Sequence, residues 1–406
     1  MAGKMRVAVL FGGRAPEHDV SIVTGLQALG AVDSTRFEAF PVYITTRGDW
    51  YVGEALRQRA TYIPDRNALD GLTRVTLDVS ARGEGRLTPL ASGGLFSKPK
   101  PIPFDVALPA FHGNIGEDGK IQGLFETAGL PYAGMRTLAS AVLMDKAITK
   151  RALDGGDIPL LGGGYVDRPA QGLIPDRAQV EAAVERSGLP ACVKPVHLGS
   201  SIGVSKVESV EALLEVLPQL FRLDDRAVVE PYVPNLVEYN VAVARIGGEI
   251  RTSAIERPKR SDDLLDFKQK YMSGGGKSGE KGGGKTPGQI SQGMLSLTRD
   301  LNPDLPDGAE AKIRRWAAEA YEIVGGTGAP RIDFLSDEKT GEIWLNEINP
   351  CPGSFGYFLW EALAEGPLLF TELLTHLIEE AVAVSRASQL SDDPVPPDAR
   401  LFRRPG

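Results

Sequence analysis

The segment from Arg331 to Gly353, RIDFLSDEKTGEIWLNEINPCPG, constrains the fold of this chain more than any other. Arg331 to Phe334 and Ile343 to Asn349 alternate with the two-residue period of half-buried strands, and Ser336 to Gly341 supplies polar turn chemistry between them. The pattern predicts a hairpin. Side chains alternate across a strand, so Arg331 and Asp333 share one face, as do Glu347 and Asn349. If the hairpin brings those faces together, Asp333, Glu347 and Asn349 form an oxygen-rich cluster beside an arginine. Hard cations take such ligands, and Mg²⁺ in particular is shared between carboxylates and substrate phosphates. The competing reading is a hairpin whose polar face is merely solvated. The Pro350 to Gly353 segment follows at once, and its glycine end can turn backbone N–H groups toward a reacting centre.

A second signal is Ala191 to Val207, ACVKPVHLGSSIGVSKV. It reads as a strand ending in Lys194-Pro195, a loop with Gly199, Ser200, Ser201 and Gly203, and a returning strand. Small residues let backbone N–H groups approach phosphate oxygens, and a lysine adds positive charge. Alone it would be an ordinary flexible loop; paired with the acidic hairpin it reads as a flap over nucleotide phosphates. Glu230 and Glu238 fall on strands expected at 227–230 and 237–244. They either hold adenine or ribose hydroxyls or are strand-edge charge. A helix expected over 138–153 carries Asp145, Lys146 and Lys150.

At the N-terminal end, RVAVLF (6–11) reads as a buried strand closed by Gly12-Gly13, and 15–29 has helical periodicity. A strand, a glycine turn and a helix open a parallel α/β sheet, and ligands bind at the carboxyl edge of such strands. Glu17, His18 and Ser21 sit at that turn, as surface caps or facing a ligand; both readings stay open. His112 reads as structural, and Glu117 and Asp118 as favouring the start of a helix over 120–128. Helices are also expected over 177–187, 210–221, 310–324 and 368–384. The run SGGGKSGEKGGGKTPG (273–288) reads as a mobile loop. Within it GEKGGGKT matches the Walker A pattern, but glycines and polar residues precede it and Pro287-Gly288 follows, where a P-loop follows a buried-strand pattern and opens a helix, so the match reads as chance.

With 406 residues and 42% hydrophobic content, the chain can build two or three domains. A net charge of −8 gives no nucleic-acid footprint. Two cysteines, Cys192 and Cys351, form no disulfide framework or metal spacing and fit a reducing cytoplasm. The apolar run 7–11 is too short for a signal sequence, and no stretch approaches a membrane span. The expectation is a soluble cytoplasmic protein without nucleic-acid or membrane partners.

Taken in order, VLFGGRAPEHDVS (9–21), HGNIGEDGKIQG (112–123), MDK (144–146), VKPVHLGSSIGVSKV (193–207), RPKRSDDLLDFKQKY (257–271), RIDF and NEINPCPG resemble the ATP-grasp fold. Within that fold they resemble the D-alanine–D-alanine ligase family. The likeness runs from about Arg6 to Val384. It implies an α/β (α+β) chain in a three-domain ATP-grasp architecture: an N-terminal parallel α/β substrate domain (1–135), a central subdomain (136–230), a C-terminal subdomain (231–385) and a tail (386–406). It implies ATP and two Mg²⁺ ions (Mn²⁺ as an alternative), D-alanine as substrate and a homodimer. One D-alanine carboxylate would attack the γ-phosphate of ATP, and the amine of a second would displace phosphate from the acyl phosphate. By resemblance, Asp333, Glu347 and Asn349 bind metal, and Lys146, Lys194 and Lys270 hold phosphates, with Ser200 and Ser201 in the flap. Arg331 and the Gly353 backbone would stabilise the tetrahedral intermediate. Glu17 would anchor the first substrate's ammonium, with Ser200 and Tyr271 closing over it, and Glu230 and Glu238 would hold the nucleoside.

Two departures stand out. The loop after Tyr271 is extended by the Gly/Lys run, and Phe358 stands where similar ligases carry a serine for the second substrate's carboxylate, with Ser354 nearby. The alternatives are therefore a ligase of the same chemistry with another amino acid, hydroxy acid or amine as acceptor, or a nucleotide-binding regulator without turnover. A biotin-dependent carboxylase subunit would share the clasp, but the N-terminal motif argues against it.

Overall fold

The computed structural model describes residues 3–63, 69–81, 83–90, 100–199, 201–259 and 299–388, with 395–396 and 399–400 of the tail. Ser200, Lys270, Tyr271 and the 273–288 run lie outside the described residues.

The first sheet comprises β1 (Met5–Gly12), β2 (Phe37–Ile44), β3 (Trp50–Val52), β4 (Thr73–Leu77), β5 (Gly85–Pro89), β6 (Ile102–Phe104) and β7 (Val106–Pro109), ordered β6-β5-β4-β3-β2-β1-β7. Its parallel part is limited to β2-β1-β7, around α1 (His18–Ala31). Strands β3 to β6 extend it antiparallel, because local connections suffice for antiparallel neighbours whereas parallel ones need a crossover. Strand β1 is buried on both faces. Val7, Val9 and Phe11 pack toward α1 and the C-terminal helix, and Ala8 and Leu10 toward Phe125 and Tyr132. That two-sided burial is why RVAVLF is uninterrupted apolar sequence.

Helices α2 (Lys120–Thr127), α3 (Thr137–Met144) and α4 (Lys146–Leu153) follow. The single helix expected over 138–153 is two. Asp145 leaves the helical conformation, and its side chain accepts from the Ala147 and Ile148 amides at 2.8 and 2.9 Å, capping α4 instead of continuing α3.

A four-stranded sheet, ordered β10-β9-β11-β8, contains β8 (Gly164–Asp167), β9 (Ala191–Pro195), β10 (Ser205–Val207) and β11 (Arg226–Pro231). Helices α5 (Arg177–Ser187) and α6 (Val210–Leu220) cover one face through Val180, Leu213 and Leu217. The last sheet, ordered β14-β13-β12-β15-β16, contains β12 (Leu236–Ile246), β13 (Glu249–Pro258), β14 (Arg299–Leu301), β15 (Arg331–Asp337) and β16 (Ile343–Asn349). Helix α7 (Ala309–Ile323) lays Ile313, Trp316 and Ala317 on it. A short helix α8 (Tyr357–Glu361) and α9 (Phe370–Ser388) return to pack Leu359, Trp360, Leu373 and Leu377 into the core of the first sheet. No described helix is long and apolar enough to cross a membrane.

Candidate active site

The predicted hairpin is present, with one departure that makes the site. Strict alternation along Ile343 to Asn349 would put Glu347 and Asn349 on the same face as the core residues Ile343 and Leu345. Instead β16 carries a bulge: Asp333 pairs with Glu347 and Phe334 with Leu345, leaving Asn346 as the extra residue. The bulge resets the alternation. Ile348 joins Ile343 and Leu345 in the core beneath α7. Glu347 then lies opposite Asp333, and Asn349 opposite Arg331.

Arg331 forks onto Asp333, with Nε and one terminal nitrogen each 2.6 Å from a carboxylate oxygen, and the Asn349 amide donates to Asp333 at 2.9 Å. Burial pushes the Asp333 carboxyl up to about 6; Arg331 opposes the shift, while Glu347 and Glu238 reinforce it. This is a concentration of negative charge that one arginine does not neutralise.

Ammonium groups face it from α4 and β9. Lys146, on the first turn of α4, donates to the Leu198 carbonyl at 2.6 Å and lies 3.4 Å from Glu347. Lys194, on β9, reaches the Asn346 amide oxygen at 2.8 Å and Glu230 at 2.6 Å. Lys150, which reads as a solvated lysine in the sequence, is turned mostly inward, bonding the Leu161 carbonyl at 2.7 Å and Glu230. Glu230 is thus held between two ammonium groups. Burial alone would raise its carboxyl, but Lys194 and Lys150 outweigh it and bring it to about 2. Both oxygens of this strand glutamate face lysines. Glu238 sits on β12, where its charge reaches Asp333. Ser201 is exposed in the loop, with a positive φ of 60°.

The first sheet closes the site. Glu17 is buried at the cap of α1, and Gly113 (φ +68°) passes so close to its carboxylate that any side chain there would collide with it. Ser21 is structural: it accepts from the Gly12 amide at 2.8 Å and donates to the Ala110 carbonyl at 2.7 Å, tying the ends of β1 and β7. Glu117 does not favour a helix terminus as its sequence position suggests. It accepts from the Gly113 amide at 2.6 Å and from the Cys351 amide at 3.0 Å, while His112 Nδ1 meets the Cys351 carbonyl at 2.9 Å. Together they grip both ends of the residue two before Gly353. Desolvation keeps His112 neutral, lowering it to about 4, and raises Glu117 to about 8 despite those amides, with Glu17 and Glu347 adding to the rise.

Beyond Gly353 the backbone runs through three left-handed residues, Ser354 (φ 53°), Phe355 (φ 56°) and Gly356 (φ 61°). Non-glycine residues there are disfavoured by about 1 kcal/mol each. Tertiary contacts impose the path: the Ser354 amide donates to Thr24 Oγ1 at 3.1 Å, its hydroxyl donates to Gln27, and Phe355 is buried. Phe358 is buried under the Arg299 guanidinium, 4.3 Å from the ring centre, and Arg299 pairs with Glu256 at 2.9 Å.

A family model described as "D-ala D-ala ligase N-terminus" matches residues 6–135, and one described as "D-ala D-ala ligase C-terminus" matches 168–282 and 295–379. The D-alanine–D-alanine ligase A of Bradyrhizobium diazoefficiens is 31% identical over 96% of this chain and 98% of its own. That of Kineococcus radiotolerans is 34% identical over 93% and 97%. The chain belongs to the D-alanine–D-alanine ligase family. The family is one of ATP-dependent ligases, which brings ATP use with it. Among solved structures, the D-alanine–D-alanine ligase of Coxiella burnetii superimposes with a TM-score of 0.74 at 24% identity over 95% of this chain and 96% of its own, and the VanG D-Ala:D-Ser ligase of Enterococcus faecalis with 0.70 at 24% over 94% and 100%. These establish the ATP-grasp fold.

Proposed function

We propose that the chain joins two D-alanine molecules at the expense of ATP, through an acyl phosphate, for peptidoglycan precursor synthesis in the cytoplasm. The observation that carries this reading is the meeting of Asp333, Glu347 and Asn349 with Lys146 and Lys194, brought from different sheets and helices to one place. A cluster of carboxylates ringed by buried ammonium groups suits a polyphosphate and its counter-cations.

The donor set fits Mg²⁺: two carboxylates and an amide oxygen, all hard oxygen ligands, with the charges of Glu347 and Glu238 gathered at the buried Asp333 carboxyl. Bound there, the ion would neutralise phosphate charge. Lys146 and Lys194, with Lys270, orient the transferred phosphoryl group. Glu17 receives the first substrate's ammonium. Arg331 and the Gly353 amide face the oxyanion formed when the second amine attacks, and His112 and Glu117 hold that amide's segment in place. Residues 1–135, 136–230 and 231–385 are assigned as the substrate domain and the two halves of the clasp, in a homodimer. A second reading, a different acceptor, is favoured by Phe358, whose buried ring offers an acceptor carboxylate no hydroxyl.

The test is phosphate release from Mg²⁺-ATP with D-alanine alone, with the products identified by mass spectrometry. Phosphate matched by D-alanyl-D-alanine supports the first reading. Turnover that appears only when another amino acid, hydroxy acid or amine is supplied moves the assignment to the second.

A further inference from the structure

His197 lies outside the roles assigned so far. It follows β9, one residue before the carbonyl that Lys146 binds and at the root of the 198–204 loop. Its Nδ1 is 2.7 Å from Asp224 and 3.6 Å from Asp225, and its Nε2 is 3.3 Å from Asp145. Its backbone amide also donates to Asp224 at 2.7 Å. Asp145 is the cap of α4, and the same helix turn is laced to this segment twice more. The Lys146 amide donates to the Val196 carbonyl at 3.2 Å and its Nζ to the Leu198 carbonyl at 2.6 Å.

We propose that His197 is a positioning residue for nucleotide binding: bridging Asp145 and Asp224, it locks the root of the 198–204 loop to the helix turn that presents Lys146. This rests on reading that loop and lysine as the phosphate site. Both ring nitrogens face carboxylate oxygens, so both carry protons and donate. Those hydrogen bonds to Asp145 and Asp224, against the penalty of burial, raise the imidazole to about 10. The other groups around the clamp are Arg226, which acts on Asp145 and Asp225 and is paired with Asp167, and the Tyr165 hydroxyl, which feels the Asp145 charge. His197, Asp224 and Asp225 also have the spacing of a metal site. A doubly protonated ring, however, has no lone pair for a cation. The bridge aligns two segments that no regular hydrogen-bond ladder joins, and a lysine displaced by an ångström grips phosphate poorly.

The experiment is calorimetric titration of a non-hydrolysable ATP analogue with Mg²⁺ into the full chain, alongside KM for D-alanine and the unfolding midpoint. His197→Gln is expected to weaken analogue binding roughly tenfold, the loss of one charge-assisted contact, with KM for D-alanine unchanged. His197→Arg, whose guanidinium can donate to both carboxylates, is expected to restore most of the affinity. Equal affinity in wild type and His197→Gln would overturn the inference. So would a loss accompanied by a parallel rise in KM for D-alanine and no rescue by arginine, which marks general loosening. Wild type that fails to bind the analogue would instead defeat the phosphate-site reading, and the inference with it.

Discussion

At Glu230, three buried charges depend on one another. The carboxylate sits between the Lys150 and Lys194 ammonium groups, and all three side chains are largely removed from water. Removing the anion leaves two cations facing each other in a low dielectric, so Glu230→Gln should destabilise the protein by about 3–5 kcal/mol. Denaturant unfolding measures it, and a loss under about 1 kcal/mol would mean that solvent already screens the cluster. In the sequence Lys194 is visible because a proline and a glycine-rich loop follow it, and Asp333 and Glu347 because they are carboxylates on the two strands of a legible hairpin. Lys150 and Glu117 are not. A lysine on an amphipathic helix and a glutamate ahead of a helix are usually solvated, and only tertiary packing turns these two inward.

Among the elements, β16 shows how one residue decides a site. The hairpin is legible from its period and turn, but the bulge at Asn346 is not, because an extra residue leaves no mark beyond a polar residue at an odd position. Deleting Asn346 makes Glu347 follow Leu345 directly, so strict alternation should keep Glu347 and Asn349 on the Asp333 side and Ile348 in the core beneath α7, without the bulge. The expected outcome is a protein that folds by circular dichroism but releases less phosphate, because Lys194 loses the Asn346 oxygen and β16 loses its bend. A deletion variant as active as wild type would show that the bulge contributes nothing to the site, and one that fails to fold would show that the strand does not close up over the gap. The split between α3 and α4 has the same origin: one aspartate prefers to cap a helix rather than continue one, and the turn it creates carries Lys146.

Across the whole molecule, stability and pH are linked through the contact between the first sheet and the last strands. Unfolded, Glu117 titrates near its ordinary 4.5; folded, near 8. The native state therefore keeps a proton that the unfolded chain has released between those values. The contribution is full below about 4.5 and is lost as pH rises toward 8, with a slope of up to about 1.4 kcal/mol per pH unit. Glu117→Gln should flatten unfolding free energy against pH between 5 and 8 relative to wild type. An unchanged slope would place the proton elsewhere. The ATP-grasp fold is readable from motif order, and the parallel start of the chain from RVAVLF and its glycine turn. The antiparallel half of the first sheet was faint, because β3 and β6 are only three residues each and carry little periodicity.

The grip on Cys351 sets an order of events in the making of this protein. Glu117 and Cys351 are 234 residues apart, and Thr24 and Ser354 are 330 apart. On a ribosome the first sheet is exposed long before the segment that fills it has been translated. Thr24, His112 and Glu117 wait as a socket, and the buried face of β1 waits for α9, which comes last. A nascent chain therefore carries an open apolar face and no reaction centre until the segment from Cys351 through α9 has emerged, and it acquires its seal and its chemistry together.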